Sequence, residues 1–239
     1  MMYPFLPMPE GLRPDVTVLL PALNEENTIA EVIERVLALP LRSEVIVIDD
    51  GSSDRTPEIL LNYKDRVRII RNEERAGKGN AIRKALPYAT GSVVIIQDAD
   101  LEYRPEEIPR LVQPILEGKS NVVFGTRFSH GLPKRMALPN KVVNVLLAWT
   151  VRLLFGTRLS DEATCYKAIR TELLKRMNLK CERFEFCPEV TAKSLRLKEG
   201  ILEVPVSYDP RSKAAGKKIR WTDAPVAFWT LLRFRIEKF

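Results

Sequence analysis

Cysteine and histidine are scarce in this chain: three and one, respectively, among 239 residues. The cysteines, Cys165, Cys181 and Cys187, are odd in number and have no CxxC spacing. That excludes a disulfide framework and a zinc ribbon, and leaves the expectation of reduced thiols in a cytosolic protein. The single histidine, His130, is remote from every acidic cluster, so a histidine-ligated metal is excluded as well. No uninterrupted apolar run approaches the ~20 residues of a bilayer-spanning helix. The opening MMYPFLPMPEGLRPD is broken by prolines and lacks the basic start and apolar core of a secretory leader. No GxGxxG follows the first apolar strand, which argues against a dinucleotide fold. A glycine-rich basic loop of the sugar-nucleotidyltransferase kind is missing there too.

Hydrophobic residues make up 45% of the chain, enough for a sizeable core. The net charge of +7 points to an anionic partner: nucleic acid, a phosphorylated small molecule or an anionic membrane face. The basic residues are spread rather than striped and match no nucleic-acid motif, so nucleic acid is set aside.

Strands are expected at 16–21, 44–50, 67–72, 92–100 and 121–127, with helices at 26–39, 53–64, 77–89 and 104–118 between them. Asn24 or Asn27 would cap the first helix and Thr56 the second, with Pro57 at its first helical position. Near-continuous apolar strands alternating with helices predict a parallel sheet covered on both faces. Ligands of such sheets gather at the carboxyl ends of the strands, where PALNEE, DDGSSD and DADLE fall. After residue 127 the alternation stops. A basic loop leads to an apolar helix at 141–156, which is too short, and too interrupted by Asn144 and Arg152, for a span. ATCYKAIR is expected as a strand, 187–200 as a helix and 201–211 as a strand running into a loop. Residues 217–239 read as a basic, aromatic, amphipathic end.

Glu25 suits a nucleobase or ribose contact, and equally a helix N-terminal acid. Asp50 suits a ribose hydroxyl or base edge, whereas Gly51 and Ser52 need only turn chemistry. Lys78 opens a helix, where free N–H groups favour phosphate, although a solvated lysine explains it too. The apolar run VVII feeds directly into Asp98, Asp100 and Glu102. Asp98 and Asp100 share a side if the strand persists; Asp100 and Glu102 converge in a turn. Oxygen-only donors suit Mg2+ or Mn2+, completed by water and substrate phosphates.

Taken in order, VTVLLPALNEENTI, VIVIDDGSSDRT, NEERAGKGNAIRKAL, VVIIQDADLEYRPEEIPRL and FGTRF resemble family 2 glycosyltransferases of GT-A fold. DEATCYKAIR, CPEVTAKSLR and VPVSYDPRSKAAGKKIRWTD resemble the dolichol-phosphate mannosyltransferase branch and its bacterial polyprenyl-phosphate relatives. The resemblance implies an α/β, Rossmann-like, mixed and mostly parallel sheet flanked by helices, with amphipathic helices at the C-terminus. It divides the chain into an extension (1–15), a transferase domain (16–215, with an acceptor-side helix at 139–156) and a basic amphipathic helix (216–239).

The roles it implies are specific. Pro21, Ala22, Leu23, Glu25 and Asp50 would hold base and ribose, Asp98 the ribose or nucleotide sugar, and Lys78 the nucleotide. Asp100 and Glu102 would bind the Mg2+ or Mn2+; relatives often carry Gln in place of Glu102. Arg127 and Arg211 would contact the phosphates of donor and lipid acceptor, and Asp161 would lie near the sugar. The ED and QxxRW elements of hydroxyl-using relatives are missing, and the basic stretch 210–220 favours a phosphate acceptor. The expected partners are a nucleotide sugar, GDP-mannose or UDP-glucose in type, and a polyprenyl phosphate at a membrane surface. The expected location is peripheral, at the cytoplasmic face of the membrane. A small water-soluble acceptor, a purely nucleotide-sugar-binding role, and a membrane-protein partner or homo-oligomer stay open.

Overall fold

The computed structural model describes residues 13–129, 131, 136–211 and 223–237. The extension before residue 13, His130 and the basic stretch beyond Arg211 lie outside the described residues.

Seven strands form one sheet: β1 (Val16–Ala22), β2 (Ser43–Asp49), β3 (Arg68–Arg71), β4 (Val93–Ile96), β5 (Val122–Thr126), β6 (Lys167–Arg170) and β7 (Ile201–Pro205). Their order is β3-β2-β1-β4-β6-β5-β7. All neighbours are parallel except β6, which runs antiparallel to both β4 and β5, so the sheet is mixed. The centre is apolar on both faces: Val18, Leu19, Leu20, Val93, Val94, Ile95 and Ile96 are fully buried. A strand buried on both faces needs no polar alternation, which is why these runs read so plainly in the sequence.

Helices α1 (Ile29–Leu37), α2 (Thr56–Leu61), α3 (Lys78–Ala85) and α4 (Ile108–Leu116) fill the crossovers of the parallel half. In α1, Ile29, Val32, Ile33 and Val36 are buried at helical spacing and Glu31 and Arg35 face outward. Neither Asn24 nor Asn27 caps it; the helix begins after Thr28, whose hydroxyl instead donates to the Ala99 carbonyl at 2.7 Å. Thr56 does not cap α2 but is its first residue, after Arg55 at the N-cap, and its N–H donates to the Asp54 carboxylate at 2.9 Å.

The C-terminal half contains α5 (Leu138–Phe155), α6 (Thr171–Arg176), α7 (Phe186–Arg196) and α8 (Ala224–Ile236). The short α6 was not expected from the sequence. The strand expected at ATCYKAIR shrinks to its last four residues. The motif around α7 has a structural reason. The buried Glu189 carboxylate accepts the backbone N–H groups of Lys180 (2.7 Å) and Cys181 (2.8 Å) and pairs with Lys193 at 2.6 Å. Lys193 also reaches the Asn178 carbonyl and lies over the Phe234 ring, tying the α6–α7 loop to α8.

Helix α5 is longer than expected. Its 18 residues are long and apolar enough, by length and composition, to cross a membrane, which corrects the expectation that it is too short. One face (Asn144, Leu147, Val151) packs on the protein. The other exposes Leu138, Val142, Leu146, Trp149 and Leu153. Helix α8 is not the amphipathic helix expected. It buries Leu231 and Phe234 yet exposes Val226, Trp229, Leu232 and Ile236, so apolar residues occupy both sides.

Candidate active site

The carboxyl ends of β1, β2 and β4 meet at one edge. Strand β4 stops at Ile96, four residues short of expectation, and Asp98–Glu102 form a turn in which Leu101 takes a left-handed backbone (φ 60°). Within it the Glu102 N–H donates to Asp100 Oδ1 at 3.1 Å. The turn, not strand alternation, brings Asp100 and Glu102 together.

Two cations sit against these acids. Lys78 pairs with Asp98, with both side chains mostly buried. Burial alone would lower the lysine pKa, but Asp98 outweighs it and holds Lys78 above its ordinary value. Arg211 crosses the cluster from the far end of the chain. Its Nη1 and Nη2 each lie 3.0 Å from a different oxygen of Glu25, and Nη2 lies 3.2 Å from Asp100 Oδ2. Its backbone N–H donates to Glu102 Oε1 at 2.7 Å, and the Tyr208 hydroxyl donates to Glu102 Oε2 at 2.9 Å. Burial, then the neighbouring Asp98 and Glu102 carboxylates, push Asp100 up to about 7, against the opposing pull of Arg211. A buried acid raised in this way by neighbouring carboxylates favours positive charge beside it.

The donors fit a divalent cation of the Mg2+ or Mn2+ kind. Asp100 and Glu102 offer only oxygen, and among the described residues no third His, Cys, Asp or Glu completes a protein cage. A cation held there would need substrate phosphates and water to complete its shell.

Asp50 is placed differently from a free ligand. Its Oδ1 accepts from Asn72 Nδ2 (2.8 Å) and the Ala76 N–H (2.9 Å), and its Oδ2 from the Gly77 N–H (2.8 Å). It shapes the loop before α3 and borders the edge rather than projecting from it. The GKG stretch is not a phosphate cradle. The N–H groups of Gly79 and Asn80 donate to the Arg183 and Glu182 carbonyls, and a Cβ on Gly77 would collide with the Glu182 carbonyl.

Arg127 and Asp161, expected on phosphate and sugar, are turned toward each other. The guanidinium engages both Asp161 oxygens (Nε 2.7 Å, Nη2 2.6 Å), and the backbone N–H adds a bond of 2.9 Å. Asp161 is fully buried. Burial opposes the charge on Arg127, yet Asp161 holds its pKa well above its ordinary value. Arg127 also lies 4.9 Å from the Tyr208 ring centre and donates to Asn144 of α5 at 3.2 Å. This pair therefore supports Tyr208 from behind and joins α5 to the site. Pro21, Ala22 and Leu23 lie at the end of β1 beside the acids, with Ala22 opposite Asp49.

Sequence reasoning missed Tyr208, Tyr103 and Thr28. Tyr103 packs against Tyr208 with ring centroids 5.3 Å apart and planes tilted by 52°, behind the hydroxyl that Tyr208 donates to Glu102. A tyrosine immediately before Asp209-Pro210-Arg211 was the one available signal.

The family model described as Glycosyl transferase family 2 matches residues 17–177. The chain is 28% identical over 209 residues to the dolichol-phosphate mannosyltransferase of Pyrococcus furiosus, covering 84% of this chain and 58% of that protein. It is 28% identical over 251 residues to the polyprenol monophosphomannose synthase of Mycolicibacterium smegmatis, covering 96% and 92%. Among solved structures it resembles glucosyl-3-phosphoglycerate synthase from Mycobacterium tuberculosis, crystallised with Mn2+, UDP-glucose and phosphoglyceric acid. The TM-score is 0.71 at 24% identity, covering 93% of this chain and 80% of that one.

Proposed function

We propose, for a chain that belongs to glycosyl transferase family 2 and is a glycosyltransferase of GT-A fold, that it moves a sugar from a nucleoside diphosphate to a polyprenyl phosphate with inversion. The observation that carries this reading is the acid edge of Glu25, Asp98, Asp100 and Glu102 crossed by Arg211. The names of the Pyrococcus and Mycolicibacterium relatives support the acceptor class.

Pro21, Ala22, Leu23, Glu25 and Asp50 border the base and ribose, and Lys78 with Asp98 reaches the nucleotide. Asp100 and Glu102 are the residues that would hold Mg2+ or Mn2+, which, when bound, stabilises charge on the departing diphosphate. A phosphate monoester is already ionised near neutral pH, so no general base is required, and the site needs only to orient it. Arg211 is the residue for that task, because its fork grips a phosphate with two parallel hydrogen bonds. Asp161 and Arg127 act behind it by holding Tyr208.

The outward faces of α5 and α8 bear on the acceptor. A helix that is apolar on both sides asks for an apolar environment on both. The two helices pack together and expose Trp149 and Trp229 beside Arg152 and Arg233. Tryptophan with arginine suits the headgroup boundary of an anionic bilayer. We place the protein peripherally on the cytoplasmic face, with α5 lying in the interface. Its length and composition would allow a span, but one face, Asn144, Leu147 and Val151, is held by the domain.

The test is a panel of nucleotide sugars, GDP-mannose and UDP-glucose first, with a polyprenyl phosphate in vesicles and with 3-phosphoglycerate in solution. Transfer to the lipid alone is the expected result. Transfer to 3-phosphoglycerate alone would replace the lipid reading with that of a small phosphorylated acceptor.

A further inference from the structure

Arg211 faces two ways. As an acceptor clamp its guanidinium must meet a phosphate, yet in the structure it meets carboxylates. The two ends of the residue are anchored to different acids. The backbone N–H is fixed on Glu102, and Tyr208 holds the second oxygen of that same carboxylate. The side chain is forked on Glu25 and touches Asp100. The guanidinium can therefore change partners while residue 211 stays in place.

Glu25 is built to hold it. It is 6% exposed, its N–H donates to Thr56 Oγ1 at 2.9 Å, and its carboxylate lies 3.1 Å from the Thr28 hydroxyl. A two-point carboxylate–guanidinium fork in a shielded site is a strong contact, and a phosphate has to displace it.

We propose that the Arg211 side chain is an internal counter-cation of the donor site, latched by Glu25 and Asp100, and that it is exchanged for the divalent cation. Asp100 cannot hold two positive groups at contact distance without their repelling each other. Cation uptake at Asp100 weakens the latch, and the released guanidinium becomes available to the acceptor phosphate. The site thus fills in an order, cation before acceptor, and Glu25 is a positioning residue that sets how strictly. This rests on the lipid-phosphate reading above.

The experiment is a double-mutant cycle read by binding, without turnover. Calorimetry with geranyl phosphate, in the absence of nucleotide, is run on the wild type, Glu25→Gln, Arg211→Gln and the double variant, each checked for folding by circular dichroism. Without cation, Glu25→Gln should tighten geranyl phosphate binding about tenfold, the weight of one charge-assisted hydrogen bond. The same substitution in the Arg211→Gln background should have no effect. Saturating Mn2+ should reproduce most of that gain in the wild type and add little in Glu25→Gln. An equal gain in both backgrounds is plain electrostatics and overturns the latch, as does no gain at all.

Mn2+ binding alone, followed by electron paramagnetic resonance, separates the two readings. If no variant binds geranyl phosphate, the lipid-phosphate reading falls. The exchange still requires Arg211→Gln to bind Mn2+ about tenfold tighter than wild type, by the same measure. Unchanged Mn2+ affinity overturns it.

Discussion

At the amino end of the sheet, buried Glu44 accepts from the Thr17 hydroxyl (2.6 Å), the Thr90 N–H (2.6 Å), the Thr90 hydroxyl (2.8 Å) and the Gly91 N–H (3.3 Å). At the carboxyl end, Asp98 meets an ammonium, and Glu25 and Asp100 share a guanidinium. Both ends bury acids, but the donors differ in kind. Hydroxyls and backbone N–H groups belong to the sheet and cannot leave it. Gly91 shows how close that packing is, because a Cβ there would lie 2.6 Å from the Thr17 nitrogen. Lysine and arginine side chains are long, charged and replaceable by other cations. An acid held by backbone dipoles is structural; an acid held by a movable charge can trade that charge for a ligand. Asp50 stands between the two, at the ligand end but held by two backbone N–H groups and an amide.

The sharpest break of this contrast is Asp100→Asn. Turnover with Mg2+ or Mn2+ should fall on the order of 10^3-fold, the scale of losing electrostatic stabilisation at the reacting group, with the thermal midpoint unchanged or raised. Wild-type turnover in the variant, or undiminished wild-type turnover in EDTA, would remove Asp100 from the chemistry.

The second test asks whether the exchangeable end also faces lipid, since Asn144 joins α5 to Arg127 there. Trp149→Glu with Trp229→Glu should weaken sedimentation with anionic vesicles on the order of tenfold or more, because both lost apolar area and added negative charge oppose binding. Transfer to a short, soluble prenyl phosphate should hold. Equal vesicle binding by the double variant would mean that these faces meet something other than a bilayer.

Glu44→Ala probes the opposite end. It takes the acceptor from the Thr17 and Thr90 hydroxyls and the Thr90 N–H, while the Gly91 N–H keeps the Thr17 hydroxyl at 3.0 Å, and should cost about 1–3 kcal/mol, measured by urea unfolding. Turnover per folded molecule should not change; a large loss would mean that the amino end is coupled to the site.

The smallest effect concerns pH. Asp100 is raised to about 7 in the fold, above its unfolded value. Its contribution to stability is full below the unfolded pKa and is lost as pH rises through about 7. In EDTA, the wild-type melting temperature should therefore drop by a few degrees more than that of Asp100→Asn between pH 5 and pH 8. Mn2+ should abolish the difference. Parallel pH curves for the two proteins would show that Asp100 is not strained by its neighbours.

The parallel half of the fold was legible because its strands are buried on both faces and its helices carry a single apolar stripe, as β1 and α1 do. The reversal of β6 was not, since Lys167–Arg170 reads the same in either direction. Nor was the length of β4, which ends at Ile96, ahead of the turn in which Leu101 takes a left-handed backbone. In the site, the types and places of Glu25, Asp98, Asp100, Glu102 and Arg211 were readable, but their partners were not. Arg127 and Asp161 were expected on ligands; that they also pair with each other was not readable, because a buried charge takes whichever opposite charge the fold brings near it.

The sequence by itself determined the alternation of strands and helices and the concentration of acids at strand ends. Both follow from local properties, periodicity and residue type. Only the tertiary structure decided that Arg211, 186 residues from Glu25, lies across it, and that α5 and α8 show apolar faces outward. Electrostatic attraction and burial depend on distance in space, and that distance is set by the packing of the whole sheet and its helices, which no local stretch contains.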